Sequence, residues 1–402
     1  MPRLSAADVA ARAGVEPELI ARLFEERVLV AGAGGTLTTA DVRRVGIVHA
    51  MLDAGLPLAG IGEGIRRGIL GLEFVDQEEY ARFGALSTET FAQASARTGV
   101  PVEQLLRVRE AIGGVVAGPE DLVREQELPV VGFVESQLRA GFRPFAIDRL
   151  LGTVGDSLRR VAEAEAEWWR SEVVEPNFAK GLPPSEISGG PLATELSNRA
   201  EEALLAIWHA QESQTWTANI VEGFARILAA AGLHKTNEQE PAICFLDITG
   251  YTRLTQERGD RAAADLAESL NRLVKRSSVQ YGGRPVKWLG DGVMCHFPDP
   301  GPGVAAALDM VEGIAGAGLP PAHVGLHSGP IVIQEGDYYG QTVNLAARIA
   351  DYARPGEVLV SESVMGSTMP SGVAFDDIGN VELKGVAGVV HLAAARRSEL
   401  AR

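Results

Sequence analysis

Ile243-Cys-Phe-Leu-Asp-Ile-Thr-Gly250 is an apolar run broken by one carboxylate, and Leu289-Gly-Asp-Gly292 has the glycine-rich composition of a tight hairpin turn. Read as a strand, the first run carries Asp247 near its end, and the second places Asp291 in the turn between two further strands. Taken singly, each is an ordinary strand-end or turn aspartate. Together, with Gly290 and Gly292 allowing close backbone approach on both sides of Asp291, they form the kind of carboxylate pair that holds an oxygen-loving divalent metal against a triphosphate.

Outward from these runs, from Pro241 onward, short apolar segments alternate with helical ones. The pattern predicts strands over 242–248, 284–289, 292–297, 322–328 and 357–360, and helices over about 260–280, 303–315 and 341–352. That βαββαβ order predicts an α+β fold: an antiparallel-rich sheet with helices on one face, a ferredoxin-like core.

Several further motifs stand in order along the same segment. Phe245-Leu-Asp-Ile-Thr-Gly-Tyr-Thr252 is followed by Lys287-Trp-Leu-Gly-Asp291, Gly325-Leu-His-Ser-Gly329, Tyr339-Gly-Gln-Thr-Val-Asn-Leu-Ala-Ala-Arg348 and Pro355-Gly-Glu-Val-Leu-Val360. With these, residues 243–394 resemble the catalytic domain of class III nucleotidyl cyclases nearly end to end. The resemblance implies that Asp247 and Asp291 bind two Mg²⁺ or Mn²⁺ ions. It implies that Lys287 and Asp337 read the purine, lysine donating to adenine N1 and the carboxylate accepting from the N6 amine, a polarity that guanine does not match. It makes Asn344 and Arg348, four apart and so on one helical face, the groups that orient the ribose and meet charge on the α-phosphate. Lys384 in Glu382-Leu-Lys-Gly385 matches a triphosphate contact. His323 stands where many relatives have an arginine that grips the triphosphate, the one departure from the pattern. In the family the metal carboxylates come from one subunit and the purine and transition-state residues from the other. A chain carrying all six is therefore expected to form a head-to-tail homodimer with two equivalent ATP sites, converting ATP to cyclic AMP and pyrophosphate.

The N-terminal half is helical in pattern and repeats once. Met51-Leu-Asp-Ala-Gly-Leu-Pro-Leu-Ala-Gly-Ile61 lies over Gln137-Leu-Arg-Ala-Gly-Phe-Arg-Pro-Phe-Ala-Ile147, and Ala11-Arg-Ala-Gly-Val15 over Ala96-Arg-Thr-Gly-Val100. The first copy reads as a helix capped by Ser5, a turn at Gly14, a helix from Pro17, a glycine-rich hairpin at 32–35 and a longer helix after Thr39. In this it resembles the winged helix-turn-helix of MerR-type regulators over residues 4 to about 65. The second helix, however, carries Glu16, Glu18, Glu25 and Glu26, and residues 1–70 balance eight Arg and Lys against eight Asp and Glu, so DNA is an unfavoured partner. Residues 155–235 read as long amphipathic helices broken near Gly181-Leu-Pro-Pro and Ser188-Gly-Gly-Pro, with Trp168, Trp169, Trp208 and Trp216 filling a helical core or packing a dimer interface, ahead of lining a lipid pocket. The expected divisions are repeat 1 over 1–85, repeat 2 over 86–154, a helical linker and dimerisation region over 155–236 and the catalytic domain over 237–402.

The whole chain carries a formal net charge of -16 over 402 residues, which repels polyanions, and it has no apolar run of the roughly 20 residues that span a membrane. With no secretory pattern at its start it is expected to be cytoplasmic. Its two cysteines, Cys244 and Cys295, lie in strand-like runs and are expected to be buried thiols. The N-terminal half is expected to be regulatory, its signal a small molecule, a lipid or pH; His209 and His234, in or beside the linker helices, are candidates for the last. The alternatives are a MerR-like transcriptional regulator with a degenerate cyclase-like sensor, and a guanylyl cyclase.

Overall fold

Ser5 opens the first helix as a capping box: its hydroxyl accepts from the Asp8 N–H (3.1 Å) and the Asp8 carboxylate accepts from the Ser5 N–H (2.8 Å). The same device recurs 85 residues later, at Thr90 with Gln93 (3.2 and 2.9 Å), and both helices end on a left-handed glycine, Gly14 (φ 67°) and Gly99 (φ 74°). The sequence repeat is thus a repeat of local structure.

The computed structural model describes residues 3–32, 35–76, 86–182, 191–234, 239–250, 256, 259–334 and 336–398, leaving aside the side chains of 191–194 and 260–265. The chain divides into two units, Met1–Gly223 and Phe224–Arg402. In the first, α1 (Ala6–Ala13), α2 (Pro17–Glu25), α3 (Thr39–Asp53) and α4 (Leu58–Arg66) enclose a core of Val9, Ile20, Leu23, Val45 and Ile61. Then β1 (Leu86–Thr90), α5 (Phe91–Thr98), α6 (Val102–Ala111), β2 (Leu122–Arg124), α7 (Leu128–Arg139) and the start of α8 (Pro144–Trp169) enclose a second core around Phe91, Leu105, Val134 and Ile147. This helical region carries, in addition, an antiparallel β1–β2 ladder and a Leu4–Leu37 bridge. A π-turn over Arg170–Val174 leads to α9 (Glu175–Ala179), and α10 runs over Pro191–Ala230. Most of the two breaks expected near 181–191 lies outside the described residues, as do the tip at 33–34 and the linker at 235–238. The tryptophans do not fill a helical core: Trp168, Trp208 and Trp216 are 49%, 55% and 61% exposed among the described residues.

The second unit follows the expected element order: β3 (Ala242–Ile248), α11 (Asp260–Gln280), β4 (Arg284–Leu289), β5 (Gly292–Phe297), α12 (Pro300–Gly316) and β6 (Ala322–Ser328). There follow a short β7 (Val332–Gln334) and β8 (Asp337–Tyr339) hairpin, α13 (Gln341–Tyr352), β9 (Val358–Ser361), α14 (Glu362–Met365), β10 (Val373–Glu382) and β11 (Val389–Arg397). Seven strands form one sheet in the order β10-β11-β9-β6-β3-β5-β4, antiparallel except for β6 beside β9.

Helices on one face only is an expectation the structure corrects. Alternate residues of β3 point to opposite sides. Cys244, Leu246 and Ile248 join α11 and α12 residues such as Val274 and Val304 in one core, while Ile243 packs with Met294, Tyr338 and Ala346 of α13 in another. Gly325 is what lets α13 lie flat on the second face, since a Cβ there would run into the Ala350 backbone nitrogen. Cys244 and Cys295 face each other across β3 and β5, both fully buried, and burial pushes the Cys295 thiol up to about 11.

Gly325→Ala should therefore destabilise the chain by about 1–3 kcal/mol or more in a denaturant titration. On β5, burial, with Arg284 close by, pushes His296 from 6.5 down to about 4. Its folded pKa lies below the unfolded one, so its contribution to stability is present above pH 6.5 and is lost as pH falls toward 4. His296→Gln should flatten that part of the acid limb in equilibrium unfolding; an unchanged limb would assign the acid sensitivity elsewhere.

Candidate active site

Asp247 is the penultimate residue of β3, and the sheet fixes what stands on each side of it. Across the ladder in β6 its partner is His323, whose Nε2 lies 3.7 Å from the carboxylate while Nδ1 meets the Thr249 hydroxyl at 3.2 Å. On the other side comes the β4–β5 turn. Gly290 takes the left-handed conformation (φ 68°) that a two-residue turn requires, and a Cβ on Gly292 would stand 3.1 Å from Asp247 Oδ1 and 3.2 Å from the Leu246 carbonyl. The two glycines thus do different work: one makes the turn, the other lets it approach the first carboxylate.

Burial first, and then the charges of Asp291 and Asp351, raise the Asp247 pKa, against the opposing influence of His323 and the Ile248 N–H. An uncompensated pair of carboxylates is a place where a cation lowers the energy. Among the described residues no group of three or more His, Cys, Asp or Glu is gathered to hold an ion. Two aspartates with an open remainder suit a hard cation that completes its oxygen shell with water and substrate phosphates, the habit of Mg²⁺, and do not suit a closed cage.

These groups open onto a cavity of about 590 Å³ whose wall includes Asp247, Asp291, His323, Asn344, Arg348 and Asp351. Asn344 and Arg348 reach it from α13, one turn apart on the same helical face. Arg348 Nη1 donates to Asp351 at 2.7 Å, an i,i+3 pair on α13. Asp351 is the residue that motif reading missed, its three-residue spacing from Arg348 being the available signal; Thr249 stood within the first motif but was given no role. Lys287 in β4 and Asp337 in β8 meet in a 2.6 Å ion pair, and the hydrogen bond from Lys287 holds the Asp337 carboxyl below its usual range. This pair is not among the residues lining the cavity, nor is Lys384, whose neighbours Gly385 and Val386 are. Tyr251 and Thr252, the end of the first motif, lie outside the described residues.

Residues 233–393 match the family described as adenylate and guanylate cyclase catalytic domain. The C-terminal part of the chain is a class III adenylyl/guanylyl cyclase catalytic domain. Relatives extend the likeness beyond that segment. An adenylate cyclase of Streptomyces coelicolor is 27% identical over 279 residues, 69% of this chain and 71% of that one. A pH-sensitive adenylate cyclase of Mycobacterium tuberculosis is 26% identical over 321 residues, 76% of this chain and 77% of that one. Among solved structures, the adenylyl cyclase CyaB of P. aeruginosa is 22% identical and covers 40% of this chain and 95% of its own, with a TM-score of 0.35. Family and relatives support a cyclase, hence a lyase, and domains of this class use nucleotides, depend on divalent metals and commonly dimerise. No described helix is long and apolar enough to cross a membrane.

Asp247→Ala and Asp291→Ala should each abolish cyclic nucleotide formation while leaving the fold intact, since removing one carboxylate relieves repulsion in the metal-free state. Near wild-type turnover of either variant at saturating Mn²⁺ would remove these residues from the metal site.

Proposed function

We propose that this chain is an adenylyl cyclase, converting ATP to 3′,5′-cyclic AMP and pyrophosphate at sites shared by two copies arranged head to tail. The observation that carries the reading is the Lys287–Asp337 pair at 2.6 Å, a donor and an acceptor already side by side. Adenine offers an acceptor at N1 and a donor at N6, which this pair matches once its members turn from each other to the base. Guanine offers the reverse, so its binding would leave both groups unpaired, a heavy loss for buried polar recognition. Asp247 and Asp291 would hold two Mg²⁺ or Mn²⁺ ions, which when bound supply charge neutralisation at the 3′-hydroxyl and along the triphosphate. Asn344 orients the ribose, and Arg348, kept extended by Asp351, meets negative charge growing on the α-phosphate. Lys384 contacts the triphosphate, and His323, on the wall beside Asp247, stands in the arginine's place.

Two observations support sharing. Asp247, Asp291, Asn344 and Arg348 of one chain line one cavity, but the purine pair stands outside it, so a single chain does not gather all six groups around one opening. Several exposed apolar side chains on α10, Trp208, Trp216 and Phe224 among them, suit burial in a dimer. The N-terminal half, with its two MerR-like repeats over 1–154 and helices to 236, is the regulatory part. In support, the likeness to the pH-sensitive Mycobacterium tuberculosis enzyme runs over 321 residues, well past the catalytic domain. The chain acts in the cytoplasm and its N-terminal half does not bind DNA.

With ATP and GTP offered separately, the purified chain should prefer ATP by roughly a hundredfold or more, and Asp337→Asn should erode that preference. Asp337, whose carboxyl Lys287 holds below its usual range, is ionised throughout the neutral pH range, so the preference should hold there; equal use of GTP would overturn the purine assignment. Asp247→Ala mixed with Arg348→Ala should regain activity, because one of the two sites in a mixed dimer carries neither lesion. If tagged subunits demonstrably exchange and the mixture stays inactive, each cavity is complete within its own chain and the shared-site reading fails.

A further inference from the structure

The N-terminal unit contains a cavity of about 850 Å³ bounded by α1 and α3 of the first repeat and by β1, β2 and the residues after α6 of the second. Its volume is within the range that takes a small organic ligand. Although the chain carries -16 overall, the wall bears four arginines, Arg12, Arg43, Arg109 and Arg124, against two aspartates.

The four arginines are not equivalent. Arg12 pairs with Glu125, and Arg43 donates to the Val75 carbonyl at 3.0 and 2.6 Å. Arg109 is only 8% exposed, and its Nε and Nη1 are buried without a hydrogen-bond partner. Glu127 is 3.7 Å from Nη1, near enough to balance charge and too far to accept a hydrogen bond; its own oxygen accepts from the Arg124 N–H at 3.0 Å. The guanidinium sits over the Phe91 ring at 5.3 Å from its centroid, which orients it without using its donors. Buried donors left unpaired are costly, so a fork held in place with its hydrogen bonds unmade is the mark of a site that a ligand completes.

We propose that this cavity binds a small organic carboxylate, its head on the Arg109 guanidinium and its apolar body against Ile47, Val75 and Leu86 of the wall. A planar carboxylate can take two parallel hydrogen bonds from Nε and the adjacent Nη2, while Nη1 stays on the Glu127 side. A phosphate dianion matches it less well, because the adjoining Glu127 repels the second charge. Both repeats contribute to the wall, so the bound molecule ties one to the other.

Gly46 of α3 supplies the test that does not depend on removing a buried charge. It lines the cavity, and a Cβ there meets nothing within 4 Å, so Gly46→Leu fills the space while raising helix propensity. Calorimetric titration of the full-length chain with benzoate should show one site per chain, with benzamide, its neutral counterpart, and inorganic phosphate each binding roughly tenfold more weakly or worse. Gly46→Leu should lose benzoate without a fall in melting temperature. The double variant Arg109→Gln, Glu127→Gln, which removes both charges together, should also weaken benzoate by roughly tenfold or more. Equal binding of benzoate and benzamide, tighter binding of phosphate, undiminished binding to Gly46→Leu, or no benzoate binding to the unaltered chain at millimolar concentration would each overturn the proposal.

Discussion

The two-residue period of β3 is the constraint on which the catalytic unit depends. Because Cys244, Leu246 and Ile248 face α11 and α12, the intervening positions must face α13, and Asp247 is one of them. The alternation therefore delivers a carboxylate to the same side of the sheet as Asn344 and Arg348 without any special loop. It also explains why the pair cannot drift: Leu246 is buried at 1% exposure, and a one-residue slip would exchange it with Asp247 in the core.

Small residues set the remaining distances. Gly292 admits the turn bearing Asp291 to the side of Asp247, and Gly325 admits α13 to the sheet. A side chain at either position would move Asp291 or α13 relative to Asp247. The site's negative charge is a second constraint of the same kind. Asp247 is raised chiefly by burial and by Asp291, which leaves the cleft charged beyond what His323 balances and receptive to cations.

Much of this was legible in the residues because local chemistry decides it. The Gly-Asp-Gly turn, the strand around Asp247, the Ser5 cap and the Gly14 turn are each written in a few adjacent positions, and the structure places them at those positions. What was not legible depends on residues far apart in sequence. That α13 covers the opposite face follows from the partition of β3 between two cores, and the short β1–β2 ladder joins segments separated by more than thirty residues. β10 and β11, with mixed burial along their length, show weak alternation and gave no clear strand signal. Tryptophan composition could not choose between a core and an interface, because only partners outside the chain decide whether exposed indoles are packed.

The Lys287–Asp337 pair shows how far geometry within one chain can carry a functional argument. Lys287 is held at the register shift between β4 and β5, and Asp337 on a three-residue strand paired with β7. Tyr338, the next residue, is buried at 4% and its ring lies 5.1 Å from that of His296. The position of Asp337 is therefore anchored through its neighbour, while Lys287 remains a flexible four-carbon arm, half exposed and free to swing. In the proposed adenine reading, the anchored acceptor would set the register and the mobile donor would close only on a purine whose N1 can accept.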